Sequence, residues 1–298
     1  MGFFKSLFGG GGGAGKKGRK VVNVAKRFDI REKRGQGSMS KVFQAYDKEL
    51  GRTLCLKILD KDKTAKFEEK FKLQGLKKPG EGEISMSLSH ANVIKTYEYG
   101  ITTNDEPYIL MEWLDGQGLN YYIESRHKQL DGRRIEYVGQ LCDAIEYLHS
   151  QKYLHRDLCP RNIMVTTDGV VKLIDFGLTI PYTPAFCKPG NRTGTVDYLA
   201  PEIIKRSPTD HRVDIFALGV TAFEVFTGFL PWKKSTSSEE TLKRHLNTPP
   251  RSPTELNPAL DAGVSKVLMK AIEKEKGARY HSATDFKKAL QALPKQDY

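Results

Sequence analysis

At 298 residues the chain can bury a sizeable core in one large domain or two modest lobes, with no oligomer required for folding. Its 39% hydrophobic and 28% charged residues are ordinary for a soluble globular protein, and no run approaches the roughly 18 apolar residues of a membrane span. The net charge of +12 is uneven: residues 1–27 hold Lys5, Lys16, Lys17, Arg19, Lys20, Lys26 and Arg27 and no acid, which leaves the body only mildly basic. Basic residues are not interleaved with aromatics over a folded face, so nucleic acid is not expected as a partner. Cys55, Cys142, Cys159 and Cys187 lie far apart without CxxC spacing, and the start lacks the features of a secretory signal. Both points predict a reducing, cytoplasmic setting.

The chain begins with an apolar patch (Phe3, Phe4, Leu7, Phe8), a glycine run and a basic cluster, so residues 1–27 read as a flexible tail. Met1-Gly2-Phe3-Phe4-Lys5-Ser6 fits the short N-myristoylation pattern, and the basic cluster would add the second signal of a stable anchor. Without lipid, the aromatic and lysine residues would still give weak peripheral contact with an anionic membrane. A disordered solubilising tail is the other reading.

From Phe28 to about Met111, short apolar runs such as Lys41–Tyr46 and Thr53–Leu59 alternate with turn residues and read as strands. One broken helical stretch interrupts them between Thr64 and Ser89. After Trp113 the period becomes helical, with Ile135, Val138, Leu141, Cys142, Ile145 and Leu148 on one face. Val213–Phe226 is apolar nearly all round and predicts a buried helix, while Val170–Ile174 reads as a strand after the Asp168-Gly169 turn. A strand-rich first part and a helix-rich second part make an α+β chain of two lobes.

Three segments carry chemistry. Arg34-Gly35-Gln36-Gly37-Ser38-Met39-Ser40-Lys41-Val42 puts glycines where a strand turns tightly, freeing backbone N–H groups for phosphate oxygens; by itself it equally fits a plain hairpin. Lys57 sits inside the apolar strand Thr53–Ile58, where an ammonium needs an anionic partner. Asp157 and Asn162 stand five residues apart on one loop, and Asp175-Phe176-Gly177 follows a strand ending at Ile174. A carboxylate and an amide converging there are hard oxygen ligands suited to Mg²⁺, which leaves Asp157 to accept a proton.

In this order and spacing, the glycine-rich loop, the strand lysine, His155-Arg156-Asp157-Leu158, Asn162, Asp175-Phe176-Gly177 and Ala200-Pro201-Glu202 resemble the motif set of eukaryotic-type (Hanks-type) serine/threonine protein kinases over residues 28–293. The resemblance implies a bilobal fold: a small antiparallel-sheet N-lobe with one helix (28–111), a hinge (112–118), a larger, mainly helical C-lobe (119–293), and a short end (294–298). It further implies that residues 34–42 cover the ATP phosphates, that Lys57 holds the α- and β-phosphates, and that Asn162 and Asp175 hold Mg²⁺. Asp157 would be the base toward a hydroxyl of a protein substrate. Met111 resembles the gatekeeper, and Glu112 to Leu114 the hinge that meets adenine. Glu202 would pair with Arg279, and Asp214 would brace the catalytic loop.

Ser40 replaces the usual third glycine. The expected partner of Lys57 is Glu81 or Glu83, and counting back from His90-Ala91-Asn92-Val93 favours Glu81, although Pro79-Gly80 breaks a helix there. Cys159 replaces the lysine that normally contacts the γ-phosphate, and Arg161 is the residue placed to supply that charge. Gly194–Glu202 resembles the serine/threonine form of the substrate-facing loop, with Thr195 bonding Asp157. Arg156 is of the type that receives a phosphorylated activation loop, with Thr193 the nearest phosphosite and Thr183 behind it. Cys159 and Cys187 read as small packing residues rather than redox thiols. A nucleotide-binding scaffold without turnover is the alternative that Cys159 keeps open.

Overall fold

The computed structural model describes residues 20–36, 39–190 and 192–293. Its first lobe is a six-stranded sheet of β1 (Val21–Val22), β2 (Phe28–Gln36), β3 (Ser40–Asp47), β4 (Arg52–Leu59), β5 (Thr96–Thr102) and β6 (Pro107–Glu112). Its order is β1-β5-β6-β4-β3-β2, antiparallel throughout except for β1, which runs parallel to β5. The period of two in β4 buries Leu54 and Leu56 against Phe28, Ala45, Tyr108 and Leu110, so Cys55 and Lys57 face the opposite side, toward the second lobe.

The broken helical stretch is two helices, α2 (Lys61–Lys72) and α3 (Glu81–Ser87), following a single turn, α1 (Val24–Arg27). The break has local causes: Gly75 adopts a left-handed φ of +70° and Pro79 precedes the cap, Gly80. Phe67 and Phe71 of α2 do not pack on their own sheet. They bury against Leu154, Ile180 and Cys187 of the other lobe, with Met39 joining from the glycine-rich loop.

The second lobe holds β7 (Gly116–Gly118), α4 (Leu119–Glu124), α5 (Arg134–Ser150), β8 (Tyr153–Leu154), β9 (Ile163–Thr166), β10 (Val171–Leu173), β11 (Ile180–Pro181), α6 (Pro201–Ile204) and α7 (Arg212–Thr227). It ends in α8 (Ser238–Asn247), α9 (Pro253–Leu256), α10 (Ala262–Ala271) and α11 (Ala283–Gln291). Val138, Leu141, Cys142, Ile145 and Leu148 of α5 share one core with α7, α10 and α11, and α7 is buried nearly all round, as its composition predicts. β7, β9 and β10 form a small three-stranded sheet in which Gly169, at φ +85°, makes the turn expected from Asp168-Gly169, while β8 pairs with β11. Among the described residues no helix is long and apolar enough to cross a membrane.

Residues 20–27 differ from the flexible tail that their charge suggests. Arg27 is 4% exposed and grips Asp47 with two bonds, Nε–Oδ1 at 3.0 Å and Nη2–Oδ2 at 2.7 Å, while Nη1 reaches Glu98 Oε1 at 2.6 Å. The Tyr108 hydroxyl also donates to Glu98. The charge that reads as tail is therefore the partner of two acids on distant strands. Phe3 to Phe8, the glycine run and residues 294–298 lie outside the described residues.

Arg27→Ala should cost about 3–5 kcal/mol, because it strands the fully buried Asp47 carboxylate. Urea unfolding is the check, and Arg27→Met/Asp47→Leu should recover part of the loss by removing both charges.

Candidate active site

The site lies where β4, α3 and the strand ends of the second lobe meet. Lys57 Nζ stands 2.5 Å from Glu81 Oε1 and 3.0 Å from Asp175 Oδ2. Asp175 and Glu81 hold the lysine above its ordinary range against the opposing effect of burial. Burial also works against the Asp175 anion, but Lys57 and the Gly177 N–H, 2.9 Å from Oδ1, hold its carboxyl below the usual range. A Cβ on Gly177 would meet Asp175 Oδ1 at 3.2 Å and Glu81 Oε2 at 3.3 Å, so a side chain there would press between the two carboxylates.

The catalytic loop hangs from α7. Asp214, buried, accepts the N–H of His155 at 2.8 Å and of Arg156 at 2.9 Å, and His149 Nε2 lies 2.9 Å from the same carboxylate. These bonds hold Arg156 at φ +69°, a conformation costly for a residue with a side chain. Beyond it, Asn162 Nδ2 donates to the Asp157 carbonyl at 2.8 Å and to Asp157 Oδ2 at 3.1 Å. Thr195 donates to Asp157 Oδ1 through both its N–H (2.7 Å) and its hydroxyl (2.8 Å). Glu202 and Arg279 form the expected buried pair, at 2.7 and 2.8 Å.

Glu81 is thus the partner of Lys57, and Pro79-Gly80 does not interrupt its helix, because Gly80 is the cap and Glu81 the first helical residue. Gly35 and Gln36 pair with Val42 and Lys41, so the glycine-rich segment is a hairpin; Gly37 and Ser38 lie outside the described residues. Met111 is buried and pairs in register with Cys55. The Glu112 carboxylate is held by the Lys95 N–H and by Lys172, both at 2.8 Å, with Leu114 buried two residues on. Thr193 lines a cavity with Arg156, Lys188, Arg206, Thr209 and Phe71. Thr183 lies in the turn after β11 and its carbonyl accepts from Phe186 and Cys187.

Arg161 is exposed and lines a cavity of about 70 Å³ with Glu124, Thr195, Asp197, Glu224 and Lys234. Cys159 lies in the same wall, 2% exposed, and burial pushes its thiol up to about 11, as suits a packing residue. Burial raises the Cys187 thiol as well. Two contacts had no signal in the sequence: His149 on Asp214, and the Tyr198 hydroxyl on Glu224. Burial pushes the Glu224 carboxyl up from 4.5 to about 7, with Tyr198 pulling the other way.

The donor set fits Mg²⁺ with ATP. The Asn162 amide nitrogen is committed to Asp157, which leaves its oxygen for a cation, and the Asp175 carboxylate remains 39% exposed. Two lobes, with a bridged lysine, a braced aspartate and a threonine seated on that aspartate, are the arrangement of the protein kinase class of fold.

Comparison with known proteins agrees. The model of the protein kinase domain matches residues 28–291, and the chain belongs to that family. A probable serine/threonine-protein kinase of Clostridium acetobutylicum is 30% identical over 263 residues, 88% of this chain and 39% of that protein. The serine/threonine-protein kinase pkn3 of Myxococcus xanthus is 30% identical over 290 residues, 92% of this chain and 51% of its own length. An Aurora kinase of Candida glabrata is 33% identical over 246 residues, 82% of this chain and 66% of that protein. The chain therefore spans about two fifths to two thirds of the length of these relatives.

Glu224 keeps its proton longer when folded, so stability should fall as pH rises between 4.5 and about 7 and stay low above that window. Glu224→Gln removes the ionisation while keeping an acceptor for Tyr198. It should be more stable than the wild type by up to about 3 kcal/mol at pH 8, with the gain vanishing near pH 4.5, in thermal unfolding across a pH series.

Proposed function

We propose that this chain is an active protein kinase that transfers the γ-phosphoryl group of ATP to serine or threonine hydroxyls of protein substrates. The observation that carries the reading is the Asp157 carboxylate, shared between Asn162 and Thr195, together with the Lys57–Asp175 pair. Asp157 accepts the proton of the attacking hydroxyl, and Thr195 fixes the carboxylate that does so. Lys57, steadied by Glu81, receives the α- and β-phosphates. The hairpin from Arg34 to Val42 covers them, and the backbone of Glu112 to Leu114 meets the adenine. Asn162 and Asp175 hold Mg²⁺, which when bound neutralises charge on the phosphates.

The Ser/Thr preference rests on the Thr195 bond to Asp157. Thr193 is the proposed phosphosite, because three cations, Arg156, Lys188 and Arg206, line the same cavity. The four cysteines are unpaired, which supports a reducing, cytoplasmic setting. The basic, aromatic tail would add weak contact with an anionic membrane.

Transfer of labelled γ-phosphate from Mg·ATP to generic protein substrates tests the activity. Asp157→Asn should lower it by 10²-fold or more, a scale typical of removing a general base, with phosphoserine or phosphothreonine as the lost product. Nucleotide binding without any transfer would instead identify a scaffold. Arg161→Ala should reduce turnover about tenfold if its charge replaces the lysine missing at Cys159, and unchanged turnover would remove Arg161 from the mechanism.

A further inference from the structure

Glu112 ends β6 of the first lobe, and Lys172 is the middle residue of β10 in the second. The Lys172 ammonium lies 2.8 Å from Glu112 Oε1, and the same oxygen accepts the Lys95 N–H at 2.8 Å. The Glu112 N–H in turn donates to the Lys95 carbonyl at 2.9 Å, so the side chain folds back along its own backbone partner. The Lys172 and Glu112 side chains are 15% and 22% exposed, which shields the pair from most of the solvent. The period of two in β10 explains the direction: Val171 and Leu173 bury in the core, which turns Lys172 to the other face.

This contact joins the two pieces of chain that a nucleotide would touch at its opposite ends. Glu112 begins the hinge segment, and three residues after Lys172 the chain reaches Asp175. β10 has another attachment to the first lobe, because Leu173 donates to the Asn92 carbonyl and accepts from the Ile94 N–H, both at 2.9 Å. A strand held at one place can pivot there, whereas attachments at two separate places fix its direction. Lys57 and Asp175 also join the lobes, but ATP and Mg²⁺ would take these groups for themselves. The Lys172–Glu112 pair uses neither group and so persists when the ligand arrives.

We propose that Lys172 is a positioning residue of the nucleotide site: its ion pair with Glu112 latches β10 to the hinge and sets the span between the hinge backbone, which meets adenine, and Asp175, which holds Mg²⁺. The inference deepens the kinase reading above and rests on it, in that Mg·ATP is taken as the ligand. The rival role is purely structural, an ion pair that steadies the fold without bearing on the span.

The test compares a ligand that spans the site with one that reaches a single end. Affinities for Mg·ATP and for adenosine are measured on the full chain, by displacement of a fluorescent nucleotide, for the wild type and Lys172→Met. Loss of the latch should weaken Mg·ATP about fivefold, the scale of a partly exposed ion pair, and leave adenosine unchanged, because adenosine does not reach Asp175. Lys172→Arg, which keeps the charge, should bind Mg·ATP nearly as the wild type does. Glu112→Gln keeps an acceptor for the Lys95 N–H and removes the ion pair. It should weaken Mg·ATP to the same degree, and Lys172→Met added to it should bring no further loss. Equal losses for the two ligands would assign the pair to the fold in general and overturn the proposal. So would no loss, additive losses in the double variant, or tighter Mg·ATP binding, which would make the pair a restraint on closure. Should Lys172→Met fold poorly, Lys172→Gln carries the same comparison. No step of the comparison reads transfer, so a wild type that binds Mg·ATP yet transfers nothing would sink the activity reading and leave the Lys172 result standing.

Discussion

The arrangement depends first on one ammonium placed in an apolar strand. Lys57 cannot be buried alone, and its two carboxylates come from opposite sides of the cleft: Glu81 from α3 of the sheet lobe, Asp175 from the strand end of the helical lobe. Meeting this electrostatic requirement therefore also closes the lobes on each other. Gly177 passes close to both acids, where a Cβ would meet Asp175 Oδ1 at 3.2 Å and Glu81 Oε2 at 3.3 Å. A buried pair of this kind is costly to break from either side, which gives the cleft a defined geometry before any ligand arrives.

A second constraint comes from below. Asp214 belongs to α7, the helix buried most completely, and it accepts two consecutive backbone N–H groups of the catalytic loop. The strained φ of Arg156 is stable only because this rigid helix over-determines it. Asp157 is then fixed from both flanks, by Asn162 from its own loop and by Thr195 from the segment that Glu202 and Arg279 tie to the lobe. The Asp157 carboxylate thus inherits its position from the core of the molecule rather than from the loop that carries it.

The sequence made the local part of this legible and left the long-range part obscure, for a physical reason. Asp157, Asn162 and Asp175 belong to one short loop-and-strand unit, so their spacing along the chain nearly dictates their spacing in space. Lys57 and Glu81 come from separate elements, and only counting back from the turn at His90 distinguished Glu81 from Glu83. Arg27 misled, because a basic residue at the end of a basic stretch looks like tail until its acids, on β3 and β5, are known. Phe67 and Phe71 are spaced as in any amphipathic helix, and nothing in that spacing tells that α2 packs across the cleft rather than on its own sheet. His149 likewise carries no mark that separates it from an ordinary helical histidine.

That misplaced helix changes how the site is connected. The link between Lys57 and Glu81 runs through α2, and α2 is fastened by Phe67 and Phe71 to Leu154, Ile180 and Cys187, beside the turn that leads into the activation segment. Phe71 also lines the cavity that holds Thr193 and Arg156. The link from Leu73 to Gly80, a turn through Gly75 followed by a stretch without regular structure, joins α2 to the helix that carries Glu81. Because Met39 packs against the same cluster, the glycine-rich hairpin shares the anchor. One small apolar cluster thus joins the glycine-rich hairpin, the helix leading to Glu81 and the strand before the Thr193 segment.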